Sequence, residues 1–437
     1  MEKDVNLLEK IVSLAKRRGF VFPGSEIYSG LANSYDYGPL GAELKNNVKQ
    51  LWWKYFVRDR EDMTGIDGNI ILNPKVWEAS GHVSNFKDAL VECKECHQRF
   101  RPDKLKDPSR CPDCGGEFTE QKMFSGMFRT FIGPVEKDAL TAYLRPETAG
   151  AIFVNYKNVL NSTNMKIPFG VGQMGKAFRN EITAGQFIFR MLEFEQMEIE
   201  YFIDSESDWN KIFNEWVDYI YGFADKIGLP KDNFYNHEIG DEDRAFYSKR
   251  TIDIEYQFPW GLDELWAIAY RTNYDLSRHQ EMSGENLEYF DDRAGRRFIP
   301  HVIEPTFGVD RTVLAILATA YNEEQLENGE TRAVLKLHPN VAPFKMAVFP
   351  LLKNKPELVA KAREIYVSLK EDYATEFDDN GNVGKRYRRQ DEIGTPFCVT
   401  VDFESLENND VTVRDRDTMK QERVKVEKLK EYLAEKF

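Results

Sequence analysis

The residues with the clearest chemical potential lie in one stretch, residues 178–202. Charged and apolar side chains alternate there with a period of two, which predicts an antiparallel hairpin with one packed face and one polar face. The polar face would carry residues of both strands: Arg179, Glu181, Arg190, Phe194 and Glu198. Guanidinium groups, an aromatic ring and carboxylates suit an anionic ligand with a flat base, such as a nucleotide. A solvated sheet face with cross-strand Arg–Glu pairs explains the same pattern.

Four cysteines form a second chemical group, as two Cys-x-x-Cys pairs with fourteen residues between them. The first pair is Cys93 and Cys96, and the second is Cys111 and Cys114. Four thiolates at this spacing predict a tetrahedral metal site, and zinc suits sulfur ligands. Because no coordination position stays open, the predicted role is structural. Four unrelated cysteines are the alternative, and the fifth, Cys398, is predicted to be a buried thiol in a strand.

A third group surrounds a glycine that precedes a predicted helix. Apolar residues predict a strand that reaches Glu304, and Gly308 permits a tight entry into an amphipathic helix. Arg311 falls in the first turn of this helix, where the helix dipole disfavours a cation, so an anionic partner is expected. An ion pair with Asp310 or a neighbouring residue is the simpler alternative.

The P-loop and dinucleotide-binding motifs are absent from the sequence. Gly170, Gly172 and Gly175 match neither pattern, so any nucleotide would be held by other means. Asp263 and Glu264 offer oxygen ligands to a hard cation such as Mg²⁺, and two solvated carboxylates explain them as well.

Several predicted elements would position these groups. An amphipathic helix with the apolar residues Leu7, Ile11 and Leu14 begins the chain, and Pro39 begins a second helix. A strand predicted at residues 69–74 follows and ends at Pro74; this helix and strand are either a dimer element or ordinary packing. A turn at residues 183–186 would close the hairpin.

The last hundred or so residues predict a separate α/β domain. Residues 338–343 predict a linker, and strands and helices alternate beyond it. The chain is predicted to close on a helix over residues 423–437. Positive charges cluster at residues 385–389, which makes this segment a candidate for contact with nucleic acid.

Composition narrows the class of protein. The chain has 437 residues, a net charge of −14 and 42% hydrophobic residues, so well-developed cores are expected and indiscriminate binding to nucleic acid is not. No apolar run reaches the ~20 residues of a membrane helix. Acids and lysines interrupt the apolar residues of the N-terminus, which does not resemble a secretory signal. The expected compartment is the cytoplasm, without membrane association.

The segment FRNEI with its arginine-bearing return strand, and the later strand–Gly–Arg–helix unit, resemble motifs 2 and 3 of class II aminoacyl-tRNA synthetases. The helix and strand ending at Pro74 resemble motif 1, which lies at the dimer interface in that class. Stretches such as LRPETA, FEQMEIEYF and EPTFG resemble the dimeric glycyl-tRNA synthetases from about residue 7 onward. The resemblance implies an α/β protein, with an antiparallel catalytic sheet flanked by helices in an α+β domain over residues 1–337. It also implies a zinc-knuckle insertion at 88–122, a mixed α/β anticodon-binding domain at 338–437, and a homodimer.

The resemblance implies a glycine–tRNA ligase. Such enzymes join glycine to ATP as glycyl-adenylate, release pyrophosphate, and pass the glycyl group to the 3′ end of tRNA(Gly). Arg179 and Arg311 would be catalytic, through the α-phosphate and the γ-phosphate, while Phe194 would stack on adenine. Glu264 would serve ATP and Mg²⁺. The full ATP-binding set implied is Arg179, Asn180, Glu181, Phe189, Arg190, Phe194, Glu264, Leu265, Gly308, Asp310 and Arg311.

Glycine has no side chain to grip, so its ammonium group must be recognised by an acidic cradle. The residues implied for glycine binding are Arg101, Glu147, Gln196, Glu198, Glu304 and Thr306. Larger amino acids would be excluded sterically. Two positions depart from the family pattern: Leu192 replaces an arginine, and Thr306 replaces a common serine.

Two other classes of protein share some of these features. A catalytically silent synthetase relative would keep the fold, although such proteins usually lose arginines at positions like 179, 190 and 311, all of which are present. A zinc-ribbon protein that binds nucleic acid would explain the cysteines but not the acidic cradle. Glycine-dependent exchange of pyrophosphate with ATP separates these classes from the enzyme.

Overall fold

The computed structural model describes residues 5–102, 105, 107–135, 139–181, 185–326 and 329–436. A π-helical segment, Trp53–Arg58, continues the second helix. The helices are α1 (Val5–Arg18), α2 (Pro39–Trp52), α3 (Pro74–Ala79), α4 (His82–Asn85), α5 (Ala149–Ser162), α6 (Trp209–Lys226), α7 (Tyr274–Ser283), α8 (Val309–Ala320), α9 (Pro356–Lys370), α10 (Val383–Ile393), α11 (Phe403–Asn408) and α12 (Leu429–Ala434).

The strands are short apart from those of the central sheet. They are β1 (Val21–Pro23), β2 (Tyr35–Tyr37), β3 (Met63–Gly65), β4 (Lys87–Glu92), β5 (Arg99–Phe100), β6 (Lys122–Ser125), β7 (Arg129–Ile132), β8 (Leu140–Tyr143), β9 (Phe169–Phe178), β10 (Glu193–Ile203), β11 (Phe234–Glu238), β12 (Arg250–Phe258), β13 (Gly261–Thr272), β14 (Tyr289–Asp291), β15 (Arg296–Phe298), β16 (His301–Gly308), β17 (Tyr321–Gln325), β18 (Thr331–Leu335), β19 (Met346–Pro350), β20 (Thr375–Phe377), β21 (Phe397–Val401), β22 (Asp410–Asp415) and β23 (Gln421–Lys425).

A seven-stranded sheet organises the larger part of the described chain, in the order β11-β12-β13-β16-β10-β9-β3. Neighbouring strands are antiparallel, except that β3 runs parallel to β9. Along β10, Met197, Ile199 and Tyr201 enter the main hydrophobic core, and alternation places Glu198 and Glu200 on the opposite face. The period-two prediction for this strand is confirmed.

Aromatic side chains fill the core on one face of this sheet. Phe56, in the π-helical segment, packs on Trp52 at 5.5 Å and on Phe307 of β16 at 4.9 Å between ring centroids. Phe223 of α6 lies 5.8 Å from Trp266 of β13. Burying such a side chain stabilises the fold by about 2–3 kcal/mol. The packed face therefore gives β10, β13 and β16 a rigid support.

The opposite face of the sheet is apolar at one end and polar at the other. Phe153 and Tyr156 of α5 and Leu276 of α7 pack against Phe202, near the C-terminal end of β10. Residues earlier in β10 are polar on this face, and they line the cavity described below.

The arginines of the predicted hairpin lie beside its strands rather than within them. β9 ends one residue before Arg179, so Glu181 also follows the strand, and β10 begins three residues after Arg190. The connection is longer than a turn at residues 183–186, which lie partly outside the described residues. A buried helical turn, Phe187–Phe189, occupies it. Burial of these apolar side chains stabilises the longer path.

The prediction of a strand at residues 69–74 is wrong. The strand in this region is β3, and Pro74 instead begins α3. The side chain of Asn73 caps that helix by accepting the backbone N–H of Lys75 at 3.0 Å. Proline has no N–H to satisfy and a suitable φ, so it fits the first helical position as readily as a strand end. The helices predicted from residue 7 and from Pro39 are confirmed as α1 and α2.

The cysteine-bearing segment forms a small sheet of its own, in the order β5-β4-β6. Two tight turns present its cysteines. The backbone N–H of Cys93 donates to Gln98 at 2.8 Å, and that of Cys111 donates to Gly116 at 2.9 Å. These turns bring the two residues of each pair onto the same side of the segment.

The C-terminal residues build a second sheet, β20-β19-β21-β22-β23, around a separate apolar core. The predicted alternation of strands and helices is confirmed. The prediction of a closing helix over residues 423–437 is wrong in part. Gln421–Lys425 is a strand that pairs with β22, and the helix α12 is limited to Leu429–Ala434. The Cys398 thiol is buried in β21, as predicted, and burial raises its pKa.

Residues 338–343 connect the two sheets, and they are packed rather than loose. Val341 is fully buried, and the side-chain amide of Asn47 in α2 donates to the backbone oxygen of Ala342 at 2.9 Å. Nearby, Arg332 of β18 donates to Asp391 of α10 at 2.8 Å. Hydrogen bonds and burial thus fix the C-terminal sheet against the rest of the chain.

The basic cluster at residues 385–389 lies on α10. Arg386 is buried and donates to the backbone oxygen of Gly381 at 2.7 Å. Arg389 donates to Asp378 at 2.9 Å, and Arg388 pairs with Glu330. Arg386 therefore stabilises the protein itself, while Lys385 and Arg388 lie at exposed positions, and contact of this segment with nucleic acid stays a prediction.

Candidate active site

A cavity of about 730 Å³ opens over the polar part of the central sheet. Strands β10, β13 and β16, the loop after β9 and the start of α8 all contribute to its wall. It brings together nearly all of the residues implied for ATP and glycine: Arg101, Glu147, Arg179, Glu181, Phe189, Arg190, Phe194, Gln196, Glu198, Glu264, Leu265, Glu304, Thr306, Gly308, Asp310 and Arg311. Asn180 is the exception, since it is not part of the wall; its backbone N–H donates to Gly126 at 2.8 Å.

Arg179 lies at the middle of this cavity. Its Nε donates to the backbone oxygen of Pro146 at 3.1 Å, and its guanidinium carbon is 5.2 Å from the ring centroid of Phe194. A second ring, Phe86, lies 5.6 Å away. The aromatic and backbone contacts hold a cation beside a flat apolar surface, an arrangement that suits phosphate next to a stacked base.

Arg311 approaches from the other side of the cavity. Its Nη1 donates to the backbone oxygen of Glu264 at 2.8 Å and lies 3.0 Å from the Glu264 carboxylate. Its Nε donates to the backbone oxygen of Phe189 at 3.2 Å, and the guanidinium covers the Phe189 ring at 4.3 Å. Of the ion pairs considered from the sequence, the one with a neighbouring carboxylate forms, with Glu264, and the one with Asp310 does not. Arg311 links Phe189, in the connection of the hairpin, to Glu264 of β13.

Asp310 and Leu265 are buried residues in the wall of the cavity. The Asp310 carboxylate accepts hydrogen bonds from Tyr37 at 2.6 Å, from Lys45 at 2.8 Å and from the Glu195 backbone at 2.7 Å. It therefore fixes α8 to α2 and β10, and we assign it to positioning rather than to ligand contact. Leu265 belongs to the hydrophobic core, so its backbone is the part available to a ligand.

The acidic end of the cavity is buried and strongly hydrogen-bonded. Glu198 accepts the backbone N–H of Thr148 at 2.9 Å through one oxygen and the Thr306 hydroxyl at 3.2 Å through the other. Glu304 accepts from Arg271 at 2.7 Å. Glu147 lies just before the N-cap of α5. Three carboxylates from separate elements thus converge, which is the arrangement expected around an ammonium group.

Arg271 is central to this cluster, and the sequence prediction missed it. It is fully buried, donates to Asp275 at 2.8 and 2.9 Å, and lies 3.8 Å from the ring centroid of Tyr247. The sequence did contain a signal for this residue. A charged residue directly follows the apolar run 265–270 of β13, and an acid lies four residues later. Buried arginine is rarely tolerated without carboxylate partners.

The pKa values of the carboxyl groups in this cluster are shifted in opposite directions. Burial raises the pKa of Glu304 well above its usual value, even though Arg271 opposes the shift, and burial together with the charge of Glu147 raises the pKa of Glu198. Burial also opposes ionisation of Glu147, but attraction from His82 and Arg271 lowers its pKa to about 2. Of these three carboxyl groups, Glu147 is therefore the one whose surroundings most favour the ionised form.

Comparison with known proteins agrees with this geometry. The model for the tRNA synthetase class II core domain (G, H, P, S and T) matches residues 134–320, and the model for the anticodon binding domain matches residues 345–436. A glycine–tRNA ligase of Clostridium acetobutylicum is 51% identical over 100% of both chains. One from Thermobifida fusca is 52% identical over 98% of both chains. The chain belongs to the glycine–tRNA ligase family.

The family assignment confirms the predicted fold class. A class II synthetase core, with its antiparallel sheet, is followed by an anticodon-binding domain of mixed α and β content. The family members are aminoacyl-tRNA synthetases by name. Across the described residues, no helix is both long and apolar enough to cross a membrane.

The four paired cysteines of this chain are placed so that they could bind one metal ion. Their sulfur atoms all lie within 4.8 Å of one another. Cys93 and Cys114 are 3.4 Å apart, and Cys96 and Cys111 are 3.6 Å apart. A disulfide requires about 2.05 Å, so these are free thiols. Four sulfurs at this separation form a cluster in which a tetrahedral ion could be bound.

A second acidic pair, Asp253 of β12 and Glu264 of β13, lies in the cavity wall. Burial opposes ionisation of Glu264, but Arg311, together with Arg179 and Arg190, lowers its pKa. Burial and the charge of Glu264 raise the pKa of nearby Asp253 to about 7. Both residues line the cavity. Two mutually repelling carboxyl groups fit a divalent cation, because the cation would relieve the repulsion.

Proposed function

We propose that this protein activates glycine with ATP and then transfers the glycyl group to the 3′-terminal ribose of tRNA(Gly). In the first step a glycine carboxylate oxygen would attack the α-phosphorus of ATP, and the bond to pyrophosphate would break. No side-chain nucleophile is required, so the protein's contribution is positioning and charge stabilisation. The observation that carries this proposal is one cavity with arginines and an aromatic ring at one end and buried carboxylates at the other.

The ATP end of the cavity supports the roles assigned to its side chains. Adenine would stack on Phe194, and Arg179 beside it would bind the α-phosphate and the glycine carboxylate. Arg311 would cover the other face of adenine and reach the γ-phosphate, with Arg190 on the remaining phosphate oxygens. Glu181 would accept from the adenine amino group.

The glycine end supports selection by charge and by size. Glu147, Glu198 and Glu304 would surround the ammonium group, with Gln196 and Thr306 closing the space in which a side chain would extend. Arg101, whose guanidinium lies 3.1 Å from Asp88 in the cysteine-bearing segment, is the outermost member of the set. A larger amino acid would collide with buried groups, which discriminates without a separate editing site.

The strand β10 would set the distance between these two ends. Phe194 and Glu198 lie on the same face of one continuous strand, four residues apart, which corresponds to ~13 Å at ~3.3 Å per residue. That length suits an adenylate laid along the strand with adenine at one end and the ammonium group at the other.

Two metals belong to this proposal. Mg²⁺, bound with ATP near Glu264 and the Leu265 backbone, would neutralise phosphate charge during adenylate formation. Zn²⁺ on Cys93, Cys96, Cys111 and Cys114 would be structural, since four thiolates leave no position for a substrate. The cytoplasm is the proposed compartment, because reducing conditions keep such thiols free.

The proposed domains are a catalytic domain at residues 1–337, with a zinc-binding insertion at 88–122, and an anticodon-binding domain at 338–437. The proposed assembly is a homodimer. β3 is the terminal strand of the central sheet, and a cavity of about 780 Å³ lies beside it, lined by residues of α2, the π-helical segment and β9. A terminal strand beside a recessed surface is a suitable place for a second copy.

Glycine-dependent exchange of labelled pyrophosphate into ATP tests the proposal. Purified protein with Mg²⁺ is expected to support exchange with glycine and to be much less active with alanine or serine. Charging of a tRNA with a glycine anticodon then tests the second step. Absence of exchange would favour a catalytically silent synthetase relative, and a preference for alanine would refute the acidic cradle.

A further inference from the structure

A chain of buried polar side chains leads from α3 to the acidic end of the cavity. The Ser80 hydroxyl and the His82 Nδ1 are 2.8 Å apart, and the His82 Nε2 is 3.3 Å from Oε2 of Glu147. Ser80 and His82 are both almost fully buried. These contacts connect the junction between α3 and α4 to a carboxylate in the cavity wall.

The surroundings of His82 fix the orientation of its ring. The Trp77 ring meets it edge-on, with 5.6 Å between centroids, and Phe86 lies 6.0 Å away. Gly81 has a φ of 83°, and this left-handed conformation turns the chain so that Ser80 and His82 face each other. The imidazole is therefore held by packing on its faces and by a hydroxyl at one nitrogen.

The two oxygens of Glu147 have different environments. Oε2 faces His82, whereas Oε1 is buried, lacks a hydrogen-bond partner among the described residues, and lies 3.9 Å from the nearest Arg271 nitrogen. Glu147 lines the cavity. By contrast, both oxygens of Glu198 already accept hydrogen bonds. A buried acceptor without a donor is costly, so Oε1 is the oxygen prepared for a ligand's N–H group.

We propose that His82 is a positioning residue for glycine: it holds Oε2 of Glu147 so that Oε1 accepts a hydrogen bond from the substrate ammonium group. Ser80 orients the imidazole for this task. His82 itself does not touch the substrate. The inference rests on the proposed function, because it assigns a role within glycine activation.

This role predicts an effect on glycine recognition that is separate from ATP recognition. Glu147 belongs to the acidic end, while the nucleotide contacts proposed for Phe194 and Arg311 lie on other elements. Loss of the hydrogen bond from His82 would leave the Glu147 carboxylate free to rotate and poorly stabilised. Hydrogen bonds to charged groups contribute roughly 10- to 100-fold in binding, so the glycine KM should rise on that scale.

The test compares steady-state pyrophosphate exchange by four variants of the full-length protein, of which one is a control. His82→Leu removes both nitrogens and should raise the glycine KM about tenfold or more, with the ATP KM changed less than about twofold. His82→Gln retains a side-chain N–H donor and should recover most of the loss. Ser80→Ala should raise the glycine KM by a smaller factor. His301→Gln, a half-buried histidine bonded to Tyr270 away from the cavity, is the matched control and should leave both KM values unchanged.

The outcomes separate this inference from the proposed function. No exchange by the unaltered protein overturns both. With an active unaltered protein, an unchanged glycine KM in His82→Leu overturns only the role of His82. Parallel rises in the KM of glycine and of ATP, or equal losses in the Leu and Gln variants, also overturn it, because they indicate general damage to the fold. If His82→Leu does not fold, Ser80→Ala decides, and an unchanged glycine KM in that variant refutes the inference.

Discussion

Arg311, in the first turn of α8, donates to the backbone oxygen of Glu264 at 2.8 Å, and its Nη1 is 3.0 Å from the carboxylate of the same residue. A cation at a helix N-terminus is disfavoured by the helix dipole, so this position is stabilised by partners from β13 and from the hairpin connection. The contact links two parts of the chain that are 47 residues apart. It also places a guanidinium with five N–H donors at the end of the cavity proposed for the nucleotide.

Replacing Arg311 with alanine should reduce glycine-dependent exchange by roughly 100- to 1,000-fold, because a preorganised cation for the developing phosphate charge is lost. The fold should be retained, as judged by circular dichroism. Arg297→Ala, at an exposed position of β15, is the control and should exchange normally. Near-normal exchange by the Arg311 variant would contradict its assigned role.

Replacing Phe194 with alanine should raise the ATP KM by roughly 10- to 100-fold, because base stacking on an aromatic ring contributes about 1–3 kcal/mol. Phe194→Tyr preserves the ring and should remain close to the unaltered protein. Exchange kinetics with ATP varied at saturating glycine give the measurement. If the alanine variant changed the glycine KM and not the ATP KM, adenine would have to bind elsewhere.

Replacing Cys111 with serine should abolish metal binding, because three thiolates and a hydroxyl form a much weaker site for Zn²⁺ than four thiolates. Metal analysis of purified protein should fall from about one zinc per chain to a trace. Cys398→Ser changes a buried thiol in a different sheet and should leave the zinc content intact. Equal zinc content in the Cys111 variant would refute four-thiolate binding.

Replacing Glu200 with glutamine should stabilise the protein at alkaline pH. Burial, followed by the charge of Glu304, raises the pKa of Glu200 well above its usual value, and neither of its oxygens has a hydrogen-bond partner among the described residues. A raised pKa means that stability is fully present below the unfolded pKa of about 4.3 and is lost as the pH rises towards the folded value. Glutamine is neutral at every pH, so the glutamine variant does not lose this stability as the pH rises.

Urea unfolding at several pH values measures this difference. The glutamine variant should exceed the unaltered protein by about 1–3 kcal/mol at pH 8, and the difference should shrink towards pH 5. Glu206→Gln, at an exposed position before α6, should show no such trend. A constant difference across the pH range would contradict the proposed titration of Glu200.

Replacing Asp391 with alanine should destabilise the contact between the β17–β18 hairpin and the C-terminal domain by about 3–5 kcal/mol, because it leaves buried charges unpaired. Asp391 accepts from Arg332 at 2.8 Å and from Arg414 at 2.9 Å, and all three are buried. Glu392→Ala, which removes the partner of Arg18 at a less buried position, is the control. Charging of tRNA should decline more than exchange, because charging alone needs the relative placement of both domains.

Much of the fold follows from local patterns in the sequence. Period-two alternation identified β10 and its packed residues, such as Met197 and Ile199, because a strand must separate its apolar and polar side chains. Spacing also predicted the clustered thiols, since two Cys-x-x-Cys turns can present sulfurs in only a few ways. Local patterns failed at Pro74, where proline satisfies the start of a helix as well as the end of a strand.

The partners of polar residues required the tertiary structure. Charge types and helix position made Arg311 a candidate for binding an anion, but only the packed chain shows that it pairs with Glu264 while Asp310 faces Tyr37 and Lys45. Pairing depends on residues that are distant in sequence, and no local period records that distance.

The sequence by itself identified most of the carboxylates, arginines and thiols that the structure brings together, because their types and spacing constrain chemistry directly, but it missed Arg271. The tertiary structure decided how they act. It buried Arg271 among Glu304, Asp275 and Tyr247, and it set His82 against Glu147. Burial and neighbouring charge give each carboxyl group its protonation state, and both quantities exist only after the separate elements have packed together.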